Sequence, residues 1–200
     1  MFSVVGLDLA GVETRPTGFC RLTGMEAATA DFYTNREIFQ KTRDSKPQVV
    51  AIDAPLSLPP GRESIEDRTG EHLRASDREL LRNGIKFFPI TLGPMRKLTV
   101  RGIELRRLLE GEGFRVIEVY PGGAQDILGI PRKQRGVDKL RAGLKALGIK
   151  GLPAAASDHE LDAVTCAYVG KLFLEKETVC YGPNSDAIIM PKGEKQRTSS

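Results

Sequence analysis

The stretch VVGLDLAG, residues 4 to 11, is an apolar run of strand length with one aspartate, Asp8, set inside it, and VVAIDAP, residues 49 to 55, repeats the arrangement with Asp53. A strand that reads as a continuous apolar run is buried on both faces. Desolvating a carboxylate there costs several kcal/mol unless a cation pairs with it, and two carboxylates brought together repel each other as well. A bound divalent cation removes both costs, so these two strands decide fold and chemistry together.

Around them the chain falls into alternating elements. Ser3 to Leu9 is the first strand, and TGFCRLTG and MEAATADFY follow it as antiparallel hairpin strands with turns marked by Gly18 and Gly24. Asn35 to Asp44 is helical with Asn35 as N-cap, and Pro47 leads into the strand ending at Asp53, a crossover between parallel strands. After LSLPPGRES, helices are predicted over 65 to 83, closed by Gly84, and over 94 to 110, closed by Gly111 and Gly113, with the apolar turn KFFPI between them. FRVIEVY is the next strand, ended by Pro121 and Gly122. A short helix near Gln125, a basic amphipathic helix over 137 to 147 and a linker at Ala154 to Ala156 precede a last long helix from Ser157 to Glu175. TVCY and AIIM read as a small C-terminal β extension. The pattern predicts an α/β fold: a mixed five-stranded sheet flanked by helices, with extra helices between strands 4 and 5. That is the element order of the RNase H-like fold.

The 200 residues fit one domain over 1–191, with the charged stretch 192–200 as a disordered tail. An aromatic content of 6% with no Trp argues against a broad base-stacking surface. Of the net charge of +4, the tail's three cations and one anion carry half, leaving +2 for the body. That balance permits nucleic acid as a partner without demanding it. Cys20, Cys166 and Cys180 show neither CxxC nor Cys/His zinc spacing, which predicts a reducing compartment. With no leader-like N-terminus and no apolar run approaching the ~18 residues of a membrane span, a cytoplasmic location without membrane contact is expected.

In SDHELDAVTCAY, residues 157 to 168, Ser157 and Glu160 form a capping box and Asp158 sits where the helix dipole favours an anion. His159 and Asp162, three residues apart on one helical face, have no such explanation. The small residues Ala163, Cys166, Ala167 and Gly170 let this helix press onto a sheet and bring its first turn to the strand aspartates. Asp8, Asp53, His159 and Asp162 then make an oxygen-rich set with one imidazole, suited to Mg²⁺ or Mn²⁺ and able to hold two ions. Singly, an aspartate after an apolar run is commonly a turn residue and a lone helical histidine is commonly packed. Glu118 is a further candidate, with an edge or solvent-facing position as the alternative, since Val116, Glu118 and Tyr120 share one face.

Arg74, Arg78 and Arg82 form an i, i+4 stripe, and Arg96, Lys97, Arg101, Arg106 and Arg107 crowd the next helix. Interspersed Asp77, Glu79, Glu104 and Glu110 make a solvated ion-pair face the common outcome for such stripes, with Arg74 and Lys97 as the residues that could steady a phosphate. The run PRKQR is cleaner, and its loop places Arg132, Lys133 and Arg135 where a phosphodiester backbone could pass the acidic set. Binding led by phosphates selects structure rather than sequence.

The segments VVGLDLAG, VVAIDAP, RASDRELLRNGIKFFP, MRKLT, VIEVYPGGAQDILGIPRK and SDHELDAVTCAYVG together resemble domain-of-unknown-function family 429, over nearly the whole chain. The resemblance implies a nuclease with an RNase H-like fold. HELDAV is also similar to the last active-site helix of RuvC-type resolvases, which implies active-site roles for His159 and Asp162, for Asp8 on the first strand and for Asp53 on the fourth, where the resolvases carry Glu. The function that follows is a metal-dependent nuclease of the two-metal type, with Asp8 bridging ions ~3.5–4 Å apart. A resolvase-like duty would call for a homodimer. Two other classes compete: a nucleotide-binding phosphotransferase of the actin and sugar-kinase type, to which DLAGVET is a partial match, and a non-catalytic RNase H-like binding module.

Overall fold

A central strand with no polar face needs cover on both sides, and the elements supply it. The computed structural model describes residues 2–184 and 186–193. It runs β1 (Ser3–Asp8), β2 (Thr17–Thr23), β3 (Glu26–Phe32), α1 (Asn35–Ser45), β4 (Val49–Asp53), α2 (Ala75–Arg82), α3 (Gly93–Gly111), β5 (Val116–Val119), α4 (Pro121–Ile127), a 3-10 turn (Lys133–Arg135), α5 (Val137–Ala146), α6 (Asp158–Leu174), β6 (Thr178–Tyr181) and β7 (Ile188–Pro191). The sheet order is β3-β2-β1-β4-β5-β7-β6.

The expected mixed α/β sheet is present, but it has seven strands rather than five. The C-terminal β pair is not a separate extension: β7 pairs parallel with β5, Glu118 opposite Ile188 and Val119 opposite Ile189, and β6 pairs antiparallel with β7. This removes an open edge from β5 and buries Ile188, Ile189 and Met190. Lys192 donates its backbone N–H to Glu177 and belongs to this layer, while the rest of the predicted tail, from 194, lies outside the described residues.

The helix predicted over 65 to 83 is confined to eight residues near its end, Ala75–Arg82. Upstream, polar side chains take the backbone groups a helix would need. The Asp67 carboxylate accepts from the N–H groups of Glu63 and Ser64 at 2.8 Å, and Arg62 donates to the carbonyls of Asp67 and Glu71. Gly61 and Gly70, at φ 77° and 87°, turn the chain where a helix could not. The N-cap of α1 is Thr34, one residue before Asn35, because its hydroxyl and Glu37 close a capping box.

Strand periodicity divides the core in two. Val4, Val49, Ala51 and Cys20 pack toward α6, whereas Val5, Leu7, Val50 and Ile52 pack with Ile38 of α1 and Leu105 and Leu109 of α3. Helix α6 lies directly on the backbone of β1 and β2. A Cβ on Gly6 would stand 2.1 Å from the carbonyl oxygen of Ala163, and one on Gly18 would stand 2.0 Å from that of His159. Those two glycines fix the height of α6 over the sheet. Among the described residues no helix is long and apolar enough to cross a membrane.

Candidate active site

The alternation that sends Val4 and Val49 toward α6 sends Asp8 and Asp53 the same way, and the two aspartates are register partners at the carboxyl ends of parallel strands. Ligand sites of open α/β sheets lie at that end. Gly18 is the β2 partner of Asp8, so the contact that seats α6 on Gly18 also seats its first turn beside Asp8. His159 donates through Nδ1 to Asp8 Oδ2 at 2.8 Å. Asp162, one turn further and 6% exposed, is oriented by Gln125 of α4, whose Nε2 donates to its Oδ1 at 2.7 Å and to Thr165 Oγ1 at 3.1 Å. Ser157 and Glu160 form the predicted capping box.

Lys133 enters this cluster from the 3-10 turn. Its Nζ lies 2.9 Å from Asp162 Oδ2, 3.4 Å from Asp158 Oδ2 and 3.8 Å from Asp8 Oδ2. Among the described residues, Asp53 has no hydrogen-bond or ion-pair partner for its carboxylate. Burial and the facing carboxylates of Asp8 and Asp162 push its carboxyl well up from the usual range. Burial and Asp8 push Asp162 up as well, against the pull of Lys133 and Gln125. The set therefore carries more negative charge than its internal cations offset.

The hydrogen bond to Asp8 holds the His159 imidazolium above its ordinary pKa, with partial burial opposing. A histidine raised in this way contributes stability that is complete below its unfolded value and is lost as pH rises through the folded one. With a side chain 38% exposed, solvent screening limits that contribution to about 0.5 kcal/mol. An imidazole NMR titration should place the His159 midpoint above about 6.5 in the wild type and move it down in Asp8→Asn. An unchanged midpoint in the variant would show that Asp8 is not the partner.

Other predicted residues stand elsewhere. Glu118 faces the opposite side of the sheet from Asp8 and Asp53: it is the neighbour of Ile52 in β4, on the α1 and α3 face, and is buried rather than at an edge. Arg74 is 2% exposed and cannot meet a phosphate, because its guanidinium is bidentate on Glu118, with both contacts at 2.7 Å, and also binds Asp77. Arg132 is paired with Asp126 and lies over the Tyr120 ring. Arg135 and Lys97 are exposed, Lys97 on a cleft of about 530 Å³ bordered by Gly11 and Glu13. Gln125 and the role of Asp158 have no signal of their own in the sequence. Phe87 and Phe88 of the turn KFFPI and Met95 of α3 line a small cavity that Asp53 also lines, and Phe88 is 75% exposed.

Donor chemistry at the site, three or four carboxylates and one imidazole, fits a hard divalent cation. As they stand, no three His, Cys, Asp or Glu side chains among the described residues close into a metal-holding group. Asp8, Asp158 and Asp162 instead stand around the Lys133 ammonium, while Asp53 has no ion-pair contact with it.

A mixed sheet with a β1 to β3 meander, parallel β1, β4 and β5 and a helix laid across β1 and β2 is an RNase H-like fold. The chain belongs to the family described as Protein of unknown function (DUF429), whose model matches residues 6–186. Two solved structures of Thermus thermophilus RuvC share the fold at 13% identity. One, in complex with a Holliday junction substrate, has a TM-score of 0.53 and covers 87% of this chain and 96% of its own. The other has a TM-score of 0.50 and covers 94% and 99%. No curated protein matches the sequence.

Proposed function

We propose that this protein is a metal-dependent nuclease that hydrolyses phosphodiester bonds in DNA or RNA. One observation carries the reading: Asp8 and Asp53 end adjacent parallel strands on the face where α6 sets His159 and Asp162. These four residues would hold Mg²⁺ or Mn²⁺, two ions in a two-metal arrangement, and such ions supply an activated water and stabilise charge on a transferring phosphoryl group. The chain does the positioning. Gln125 fixes the rotamer of Asp162, His159 fixes Asp8, and the Gly6 and Gly18 contacts fix α6 against both strands. Exposed Arg135 and Lys97 provide phosphate contacts without sequence selection. The Holliday junction bound by the similarly folded RuvC supports nucleic acid as the substrate class, and branched DNA belongs among the first substrates to try.

Labelled single-stranded, duplex, hybrid and branched substrates should be cleaved in Mg²⁺ or Mn²⁺, with rates falling at least about 100-fold in Asp8→Asn and Asp162→Asn. Equal cleavage by the wild type and both variants would overturn the assignment.

A further inference from the structure

We propose that Lys133 is a resident counter-ion which a divalent cation must displace, so that the site exchanges between a lysine-closed and a metal-loaded form. The inference rests on the metal-dependent reading above and concerns how that site is guarded. The Lys133 ammonium is in contact with Asp162, Asp158 and Asp8 together, and its closest approach is 2.9 Å. Carboxylate oxygens hold Mg²⁺ at about 2.0–2.1 Å and Ca²⁺ at about 2.3–2.6 Å, so one set of oxygens cannot close on a metal while an ammonium stands among them.

Tethering separates the turn from the side chain. Arg132 is fixed to Asp126, the N–H of Arg135 donates to the carbonyl of Arg132, and Gly136, at φ 122°, hands the chain on to α5. The backbone of the turn is thus held, while the charge of Lys133 rides on a flexible four-carbon stem that remains 27% exposed. It can leave without unfolding anything. The lysine is also an incomplete counter-ion: it lies within ion-pair distance of three carboxylates and, among the described residues, leaves Asp53 without an ion pair. A divalent ion brings twice the charge and a larger coordination number, which gives it a reason to replace the ammonium. In the absence of metal, Lys133 offsets part of the repulsion among the acids.

The test is Mn²⁺ binding to the full chain, read by EPR and calorimetry, for wild type, Lys133→Gln, Lys133→Arg and Asp162→Asn. Lys133→Gln should bind Mn²⁺ about tenfold more tightly than wild type, while Lys133→Arg, which keeps the charge, should not tighten. In wild-type protein whose lysines carry ¹³C-methyl groups, the Lys133 resonance should move with saturable dependence on Mg²⁺. Equal or weaker Mn²⁺ binding by Lys133→Gln overturns displacement, as does a Lys133 resonance that saturating Mg²⁺ leaves in place. If Lys133→Gln fails to fold, the wild-type resonance decides. Absence of Mn²⁺ binding in wild type and Lys133→Gln alike, indistinguishable from Asp162→Asn, removes the metal reading itself and displacement with it.

Discussion

Arg74→Met is expected to cost the fold about 3–5 kcal/mol, the range for breaking a buried charge pair from one side. The Arg74 side chain is 2% exposed, Asp77 1% and Glu118 7%. Two parallel bonds of 2.7 Å join the guanidinium to Glu118, and Asp77 accepts from it at 2.9 and 3.2 Å. Burial alone would lower the guanidinium pKa, but Glu118 and Asp77 outweigh it and keep Arg74 charged. Methionine replaces the volume and none of the charge, leaving two carboxylates in the interior with the N–H groups of Leu56 and Arg74 as their remaining donors. In a chain of 200 residues that loss lowers Tm by about 6–20 °C. The triple variant Arg74→Met, Asp77→Asn, Glu118→Gln should recover most of it, since a buried ion cluster is costly mainly when half of it is removed. A single variant as stable as the wild type in urea would show that the cluster contributes nothing. Through Glu118 and Leu56, this cluster anchors the segment that leaves β4 just after Asp53, so the loss should also loosen the site.

Arg74 has the spacing of a surface phosphate contact but not the position of one. Arg74, Arg78 and Arg82 do recur at helical spacing, and at Arg78 the reading of a surface ion pair holds, with Glu71 as partner. Arg74 precedes the first turn of α2 and points inward, toward a glutamate 44 residues away that no local pattern identifies. The face that Glu118 takes is hidden in the sequence for a related reason. Alternation correctly groups it with Val116, but which sheet face that pair takes depends on the neighbour strand, where Ile52 turns away from α6. The same parity is legible for Asp8 and Asp53, because both close apolar runs of one pattern in register with each other. His159 and Asp162 are legible because the capping box marks where the helix starts, with Ser157 as the residue before it.

The basic run PRKQR divides in the same way. Its three cations look equivalent in sequence, yet Asp126, on the preceding helix, captures Arg132, Arg135 faces solvent, and the middle cation turns into the acids. Short β7 is another case: four apolar residues declare a strand, but only the unpaired edge of β5 tells where it goes.

If Asp53 is a metal ligand of the nuclease proposed above, Asp53→Asn is expected to move stability and cleavage in opposite directions. Asp53 is the site carboxylate without an ion pair among the described residues, and burial, Asp8 and Asp162 together push its carboxyl well up. A carboxyl raised in the folded state binds its proton more tightly there than in the unfolded chain. It therefore favours folding at low pH, and that advantage is lost as pH rises through the folded value. Above it the charged form is a standing cost, which asparagine does not bear. Without metal at pH 7.5 the variant should be more stable than wild type by about 1–2 kcal/mol, or about 2–8 °C in Tm, and the difference should shrink toward pH 4. Mg²⁺ should reverse the order, because a ligand that binds only the native state stabilises wild type and has lost a donor in the variant. Cleavage should fall by about 10²–10⁴-fold, the several kcal/mol that a correctly held metal contributes. Paired melting curves at pH 4.5 and 7.5, with and without Mg²⁺, read the sign directly. An Asp53→Asn protein that melts lower than wild type at pH 7.5 without metal, and that still cleaves, would mean that Asp53 is a structural residue whose charge the fold already accommodates.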